Sequence, residues 1–506
     1  MNWRGLLSIA CGLLLAPPAP AEWMRAETPH FVVYEEASAA EVRKLAVDLE
    51  RFDGFVRLFH AMRDAEGARS NKVTVYVVSD VGAVQRLCGK CANVAGFYDG
   101  RASGSVAFTP RRTAGGYDGA MRAQTILFHE YAHHFLLGNY AVAYPAWFSE
   151  GYAEFVSTMT IKDKVTIGVA AQHRGRGLFT GPEMPATMLF DPGSRRKLSP
   201  EQMDVLYGRG WLMTHWIMFD EARRAKFKRY LDLLNSGTPS LKAATEAFGD
   251  LKELDRTLNR YVRQSRIPGM VLDLSMVPEP VVQVAALSPG AEAMIPFRLV
   301  STRGVNRETA ASLYRKAAAV APRFPNDPVV QGWFAEIAFD AGEHAAADAA
   351  ADRAIAADPR SAQALIYKAL VAMAQAEKDP EKWKAARSLI IRANRLDPDY
   401  AYPLVLFYAS FEREGRPPVA SAVAGLHRAL ELVPQDDGVR FLAARQLIRD
   451  GDLKAARKAL GPLAYNPHLP PDNPAAKALA ALDGGDGAAA LAVFEGEAKT
   501  EPTPAG

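Results

Sequence analysis

The sequence predicts an α+β domain, a small sheet leading into a pair of metal-binding helices, followed by an all-α domain of helical repeats. Three observations carry that reading. Two runs, His30 to Glu36 and the β-branched-rich Lys72 to Ser79, stand early in the chain as strands. His129-Glu130-Tyr131-Ala132-His133 reads H-E-x-x-H inside a stretch, Met121 to Leu137, that holds neither Pro nor Gly. Beyond residue 307, small residues recur ahead of Pro322, Pro359, Pro398 and Pro434, and those prolines stand 37, 39 and 36 residues apart.

Composition bounds the rest. A chain of 506 residues is too long for one core, so two or three domains are expected. A hydrophobic share of 49% and a charged share of 23% are those of globular protein. The net charge of +3 and the absence of a long Lys/Arg run argue against a nucleic-acid partner. The start, Met1-Asn2-Trp3-Arg4, then an apolar run from Leu6 to Leu15 and Ala19-x-Ala21, reads as a cleavable signal peptide over 1–21. A lipoprotein signal on Cys11 is the alternative, weakened by Ser8 where a leucine belongs. No later segment has eighteen consecutive apolar residues, so no stable membrane span is expected.

The catalytic half is expected over 22–269. After the strand at 30–36, residues 38–62 place Val42, Leu45, Ala46, Leu49, Phe52 and Phe55 at helical spacing. Gly96-Phe97-Tyr98 and Ser105 to Thr109 add two strands bounded by Asp99-Gly100 and Gly104 turns. The 105–109 strand is the candidate edge onto which an extended peptide could add; the alternative is an ordinary sheet strand. Cys88-Gly89-Lys90-Cys91 reads as a structural disulfide or a pair of inert thiols. It has no βαβ setting for redox chemistry, and no further cysteine pair exists to build a zinc site.

On a helix, His129 and His133 share one face a turn apart, where two imidazoles can hold one metal ion. Glu130, one position round, is placed to act as base toward an activated water. A catalytic zinc needs a third protein ligand. Glu150, seventeen residues after His133, fills that role on a second helix among Trp147, Phe148, Tyr152 and Phe155. Glu154 shares its face and could hydrogen-bond the free ring nitrogen of a ligand histidine. The plain alternative, that both are a solvated acidic face, fits poorly with those apolar neighbours. For a donor to the developing oxyanion, Tyr207 is the first candidate and His215 the second; each could instead be core. His134 points elsewhere on its helix, toward packing or support of a ligand histidine.

Residues 172–200 read as polar and loop-rich, followed by an aromatic helix through 207–216 and a continuous helix from Phe227 to Tyr261. Residues 270–306, Pro- and Val-rich, read as a connector with some strand content, so that a chain ending near Gly269 should fold alone. The repeats occupy 307–495, with 470 onward expected as a fraying Ala/Gly-rich cap and 496–506 as a tail.

At H-E-Y-A-H (129–133) and E-G-Y-A-E (150–154) the chain resembles the gluzincin metallopeptidases, the group that includes thermolysin and the zinc aminopeptidases. W-M-R-A-E-T-P-H-F-V-V-Y (23–34), I-L-F-H-E-Y-A-H-H-F (126–135) and Y-P-A-W-F-S-E-G-Y-A-E-F (144–155) are similar to a bacterial peptidase-MA-like family often fused to tetratricopeptide repeats. The resemblance implies an α+β metallopeptidase domain over roughly 22–265 with His129, His133 and Glu150 as Zn2+ ligands and Glu130 as catalytic base. The spacer from His133 to Glu150 is a little shorter than in thermolysin-like enzymes, which bears on the loop between the helices. The resemblance also implies a bacterial source and so a periplasmic or secreted location, with a peptide or protein substrate and a protein partner on the repeats. The rival readings are a pseudo-peptidase whose zinc is structural, against which an intact Glu130 argues, and a repeat scaffold with a fortuitous motif, which bound zinc would exclude.

Overall fold

A computed structural model describes residues 22–498 apart from 65, 90, 92–93, 114–120, 141, 192, 194–197, 467–468 and 471. The expected signal peptide, Cys11 and residues 499–506 of the tail lie outside the described residues.

Strand alternation builds a six-stranded mixed sheet. Its strands are β1 (Trp23–Glu27), β2 (Phe31–Glu36), β3 (Val73–Asp80), β4 (Phe97–Asp99) and β5 (Val106–Arg112), with a sixth arriving much later in the chain. A smaller sheet holds β6 (Thr160–Ile161), β7 (Lys164–Ile167) and β8 (Met270–Asp273); β9 (Gln283–Ala286) completes the large one. The large sheet runs in the order β4-β5-β3-β2-β1-β9. Phe31 pairs with Val73 and Thr74 with Val106 in parallel register, while Tyr98 pairs antiparallel with Ala107. The 105–109 segment is therefore not the edge. It is paired on both sides, and the short β4, whose one partner is β5, is the edge instead.

One sheet face packs on helices. The first, α1 (Ala39–Phe59), starts with a capping box between Ser38 and Glu41. Next come α2 (Val81–Cys88), α3 (Ala123–Asn139) and α4 (Ala146–Ser157). Cys88 and Cys91 are joined in a disulfide just past α2. Val33, Val75 and Val77 of the sheet, Phe52 of α1 and Phe128 of α3 are buried in one core, with the two phenylalanine rings stacked 3.9 Å apart. The chain continues through α5 (Gly175–Phe179), α6 (Ala186–Leu189), α7 (Pro200–Met218), α8 (Glu221–Asn235), α9 (Ser240–Phe248) and α10 (Leu251–Val262). The helix expected to run from Phe227 to Tyr261 is three helices, because Gly237 and Gly249 take left-handed backbone conformations (φ 96° and 87°) that end a helix.

The 270–306 segment has the strand content expected of it, and that content is built into both sheets. β8 pairs with β7 and β9 with β1, so both sheets need this segment. It then enters α11 (Pro289–Arg303), capped by Ser288 with Pro289 in the first turn.

Antiparallel helices follow: α12 (Arg307–Ala317), α13 (Pro328–Asp340), α14 (His344–Ala357), α15 (Ala362–Ala376), α16 (Lys382–Leu396) and α17 (Ala401–Arg413). The last are α18 (Ala420–Leu432), α19 (Asp437–Arg449), α20 (Leu453–Ala464), α21 (Pro474–Asp483) and α22 (Gly487–Ala498). Ala347 and Ala354, Ala386 and Ala393, and Ala422 and Ala429 are fully buried on the second helix of successive pairs, where a small side chain lets two helices approach. Pro359, Pro398 and Pro434 each follow such a helix by two residues. This helical part is compatible with a repeat domain. The expected fraying cap is instead a further helix pair, α21 and α22, with Leu479, Leu482 and Phe494 buried.

The array covers the other face of the sheet. Alternation turns Tyr76 and Phe108 toward Met294, Ile295, Trp333 and Phe334. The β4–β5 turn is gripped from several helices. Arg101 donates to the carbonyls of Thr302 and Arg303, Tyr400 to that of Ser103, and the Ala102 N–H to Asp436. Among the described residues no helix is long and apolar enough to cross a membrane.

Candidate metal centre

Helix α3 has no side-chain cap and little amphipathic contrast; it is apolar around most of its surface, as a helix buried between a sheet and other helices must be. Into that setting it brings His129, Glu130 and His133. Helix α4 is buried from Trp147 to Ser157 and crosses α7 at a point where both helices carry glycine. A Cβ on Gly151 would lie 2.2 Å from the Gly210 carbonyl carbon, so only glycine permits this approach. The crossing sets Glu150, beside Gly151, against the two histidines and brings Tyr207 of α7 to the same place.

His129 Nε2 lies 3.3 Å from His133 Nε2 and 3.4 Å from Glu150 Oε2, and His133 Nε2 lies 3.6 Å from that oxygen. These three residues form the metal-type cluster among the described residues. In a tetrahedral site the separation of two donors is about 1.6 times the metal–donor distance, so these edges correspond to about 2.0–2.2 Å, the range of zinc bonds to nitrogen and oxygen. Two imidazoles and one carboxylate, leaving a fourth position open, are also the donor set of catalytic zinc. The residues present therefore fit the ion.

Glu154 stands behind the triangle, 0% exposed. One oxygen is 3.4 Å from His129 Nδ1 and 2.6 Å from Arg174 Nη2; the other is 2.6 Å from His173 Nε2. Burial alone would raise this carboxyl, but the hydrogen bonds with His129 and His173 and the charge of Arg174 hold it well below the usual range. Burial is likewise outweighed at His129. Its contacts with Glu150 and Glu154 raise its pKa to about 10. His173 and Arg174 were not singled out from sequence. They sit 19 and 20 residues from Glu154, in a 3-10 turn (Gln172–Arg174) that leads into α5, and no spacing rule links such positions.

The Tyr207 ring centroid is 6.1 Å from that of His129, and the Arg174 guanidinium carbon lies over the ring 4.7 Å from its centroid. The Glu150 charge and then burial push its phenol well above the usual value, so it keeps its proton. The second oxyanion candidate lies elsewhere. His215 is fully buried, with Nδ1 on the Tyr261 hydroxyl (2.9 Å) and Nε2 on the Gly168 carbonyl (3.1 Å). Burial lowers its pKa to about 4, and it serves packing. His134 is similar, bonded through Nδ1 to the Tyr98 hydroxyl at 2.7 Å.

A cavity of about 320 Å³ opens beside the centre. Glu130, His133 and Ser149 line it from the helices, Tyr98, Asp99 and Gly100 from the sheet edge, and Gln435, Asp437, Arg440 and Tyr465 from the helical array.

No protein-family model matches the chain, and no curated protein matches it. Among solved structures, the MamA RS-1 ArsTM double mutant is similar over 34% of this chain and 92% of its own, at 18% sequence identity and a TM-score of 0.26.

Proposed function

We propose that this protein is a zinc-dependent peptidase of the gluzincin type, carrying a tetratricopeptide-like array. The observation that carries the reading is the triangle of His129, His133 and Glu150 with Glu130 beside it on an open cavity. Zinc held there would supply Lewis acidity, lowering the pKa of a water toward about 7 and polarising a carbonyl. Glu130 takes a proton from the attacking water as its oxygen bonds to the peptide carbonyl carbon. It then delivers that proton to the amide nitrogen as the carbon–nitrogen bond breaks. One water is consumed, and a carboxyl group and an amine are formed. Tyr207, protonated and next to His129, donates its O–H to the oxygen that gains charge. Glu154, beside His129 Nδ1, is placed to accept its N–H, which would leave the Nε2 lone pair available to an ion, and His173 and Arg174 hold Glu154 in place.

The peptide or protein substrate enters at the cavity. A protein partner of the repeats has to use surface other than the side filled by Arg101 to Ser105. The Cys88–Cys91 disulfide fits an oxidising compartment. The test is metal dependence. Purified protein should carry about one zinc, and chelation should abolish, and zinc restore, cleavage of a mixed peptide library read by mass spectrometry. Equal cleavage without zinc, or none at neutral pH with zinc bound, contradicts the proposal.

A further inference from the structure

We propose that a second cavity, between the large sheet and the helical array, binds a neutral, hydroxyl-rich molecule the size of one sugar ring. The inference does not depend on the peptidase reading.

The cavity measures about 240 Å³. Tyr76 of β3, Arg101 of the β4–β5 turn, Arg298 and Thr302 of α11, Glu336 of α13 and Tyr367 of α15 are among the residues that line it. It opens at the other end of the turn that borders the metal cleft: Asp99 and Gly100 face that cleft, whereas Arg101, Ser103 and Gly104 face this cavity. None of its lining residues belongs to the metal centre.

The charged groups of the lining are already matched. Arg298 Nη1 is 2.5 Å from Glu336 Oε2. Glu336, 8% exposed, also accepts from Ser301 Oγ at 3.2 Å and from Gln363 Nε2 at 2.8 Å. Arg101 is paired with Asp99 and donates to the carbonyls of Thr302 and Arg303. An anion in this space would face Glu336 and a cation would face Arg298. Neither would find an uncommitted opposite charge to offset its lost hydration.

Neutral hydrogen-bonding groups are what the lining leaves unused. Thr302 is 5% exposed, and among the described residues its hydroxyl has no partner. Among the described residues the hydroxyls of Tyr367 and Tyr402, both on the cavity, also make no hydrogen bond. Arg298 Nε is a further buried donor without a partner there. Buried polar groups left unpaired are costly, so a guest that supplies the missing bonds is favoured. Each hydroxyl both donates and accepts, as the hydroxyls of a sugar do. The tyrosines add an apolar ring behind each polar tip, to pack on the C–H groups of such a molecule. An extended peptide needs an open groove with pockets for alternate side chains. This cavity is smaller than the roughly 300–1,000 Å³ of sites for drug-sized ligands.

The test is calorimetry on the full chain with glucose, galactose, mannose and N-acetylglucosamine, beside phosphate, acetate and alanyl-alanine. At least one sugar should bind once per chain with Kd below about 1 mM and raise the thermal midpoint. Thr302→Val keeps the shape of the side chain and removes only the unpartnered hydroxyl. It should leave zinc content and the thermal midpoint of the free protein unchanged and weaken that sugar by about 2–10-fold, the worth of one neutral hydrogen bond. Tyr367→Phe should act alike, and the double variant should bind more weakly than either. Four results overturn the inference: no sugar of the set binds; neither variant weakens the sugar; phosphate, acetate or the dipeptide binds instead with the same loss on Thr302→Val; or the sugar is lost from Glu150→Ala and kept by both variants, which would place it in the metal cleft.

Discussion

The two walls of the cleft are built from residues at very different separations along the chain. On the helix side, His129, Glu130, His133, Glu150 and Glu154 fall within one short segment, and four of the five lie one helical turn from a partner. On the array side, Gln435 meets Ser105 across 330 residues, and Asp436 meets Ala102 across 334. The proposed chemistry is thus encoded locally, whereas the shape of the space around it depends on long-range packing. A mutation in the first wall should change the metal or the reaction. One in the second should change access, or the fold itself.

The largest effect expected is on the fold. A chain ending at Gly269 loses β8, β9 and the helices that cover Tyr76 and Phe108. It should fail to give a cooperative thermal transition and should bind no stoichiometric zinc, because an uncovered sheet face and an unpaired β1 remain. A cooperative transition with full zinc content would show that the two walls fold independently.

Next in size is Glu150→Ala. Removal of a direct ligand should weaken zinc affinity by more than the 10–100-fold typical of a supporting group, as read by competition with a chelator. Glu154→Gln should fall within that 10–100-fold range, since it supports His129 without facing the metal. If Glu154→Gln strips zinc while Glu150→Ala retains it, the assignment of ligand and support is reversed.

The smallest effect concerns the base of the helix wall. His30 bonds Glu50 through Nδ1 and Asp64 through Nε2, both at 2.8 Å, and Asp53 beside it accepts from Tyr131 of α3. Burial would lower the His30 pKa, but the Glu50 hydrogen bond and the charges of Asp53, Glu50 and Asp64 raise it to about 9. A folded value above the unfolded value of about 6.5 means that this stabilisation is complete below pH 6.5 and is lost as pH rises through 9. Urea unfolding should lose roughly 3 kcal/mol over that window, and His30→Ala should flatten the loss. An unchanged slope in the variant would place the pH dependence elsewhere.

What could be read from sequence follows the same division. The strands at 30–36 and 72–79 and the H-E-x-x-H helix are legible because each repeats a pattern within a few residues. Helix α11 escaped because Pro296 and a run of Pro and Val on its N-terminal side mask its period, although Ser288-Pro289 is a helix start. The edge strand was misplaced by one hairpin, since nothing in Val106 to Thr109 tells whether a neighbour pairs with it. Gly151 and Gly210 sit within motifs that were noticed, yet their mutual contact, which aligns Glu150 and Tyr207, appears only in the packed structure. His173 and Arg174 belong with them, as residues of a short 3-10 turn set against Glu154 by tertiary contact.

The most direct measurement of the central claim is peptide hydrolysis and zinc content in Glu130→Gln beside the wild type. Glu130 is the motif residue that lines the cavity without belonging to the ligand triangle. The account predicts unchanged zinc and nearly unchanged thermal stability, with hydrolysis reduced by about 10²–10⁴-fold, the usual loss for a general base. Equal hydrolysis by the two proteins, each with zinc bound, would contradict it.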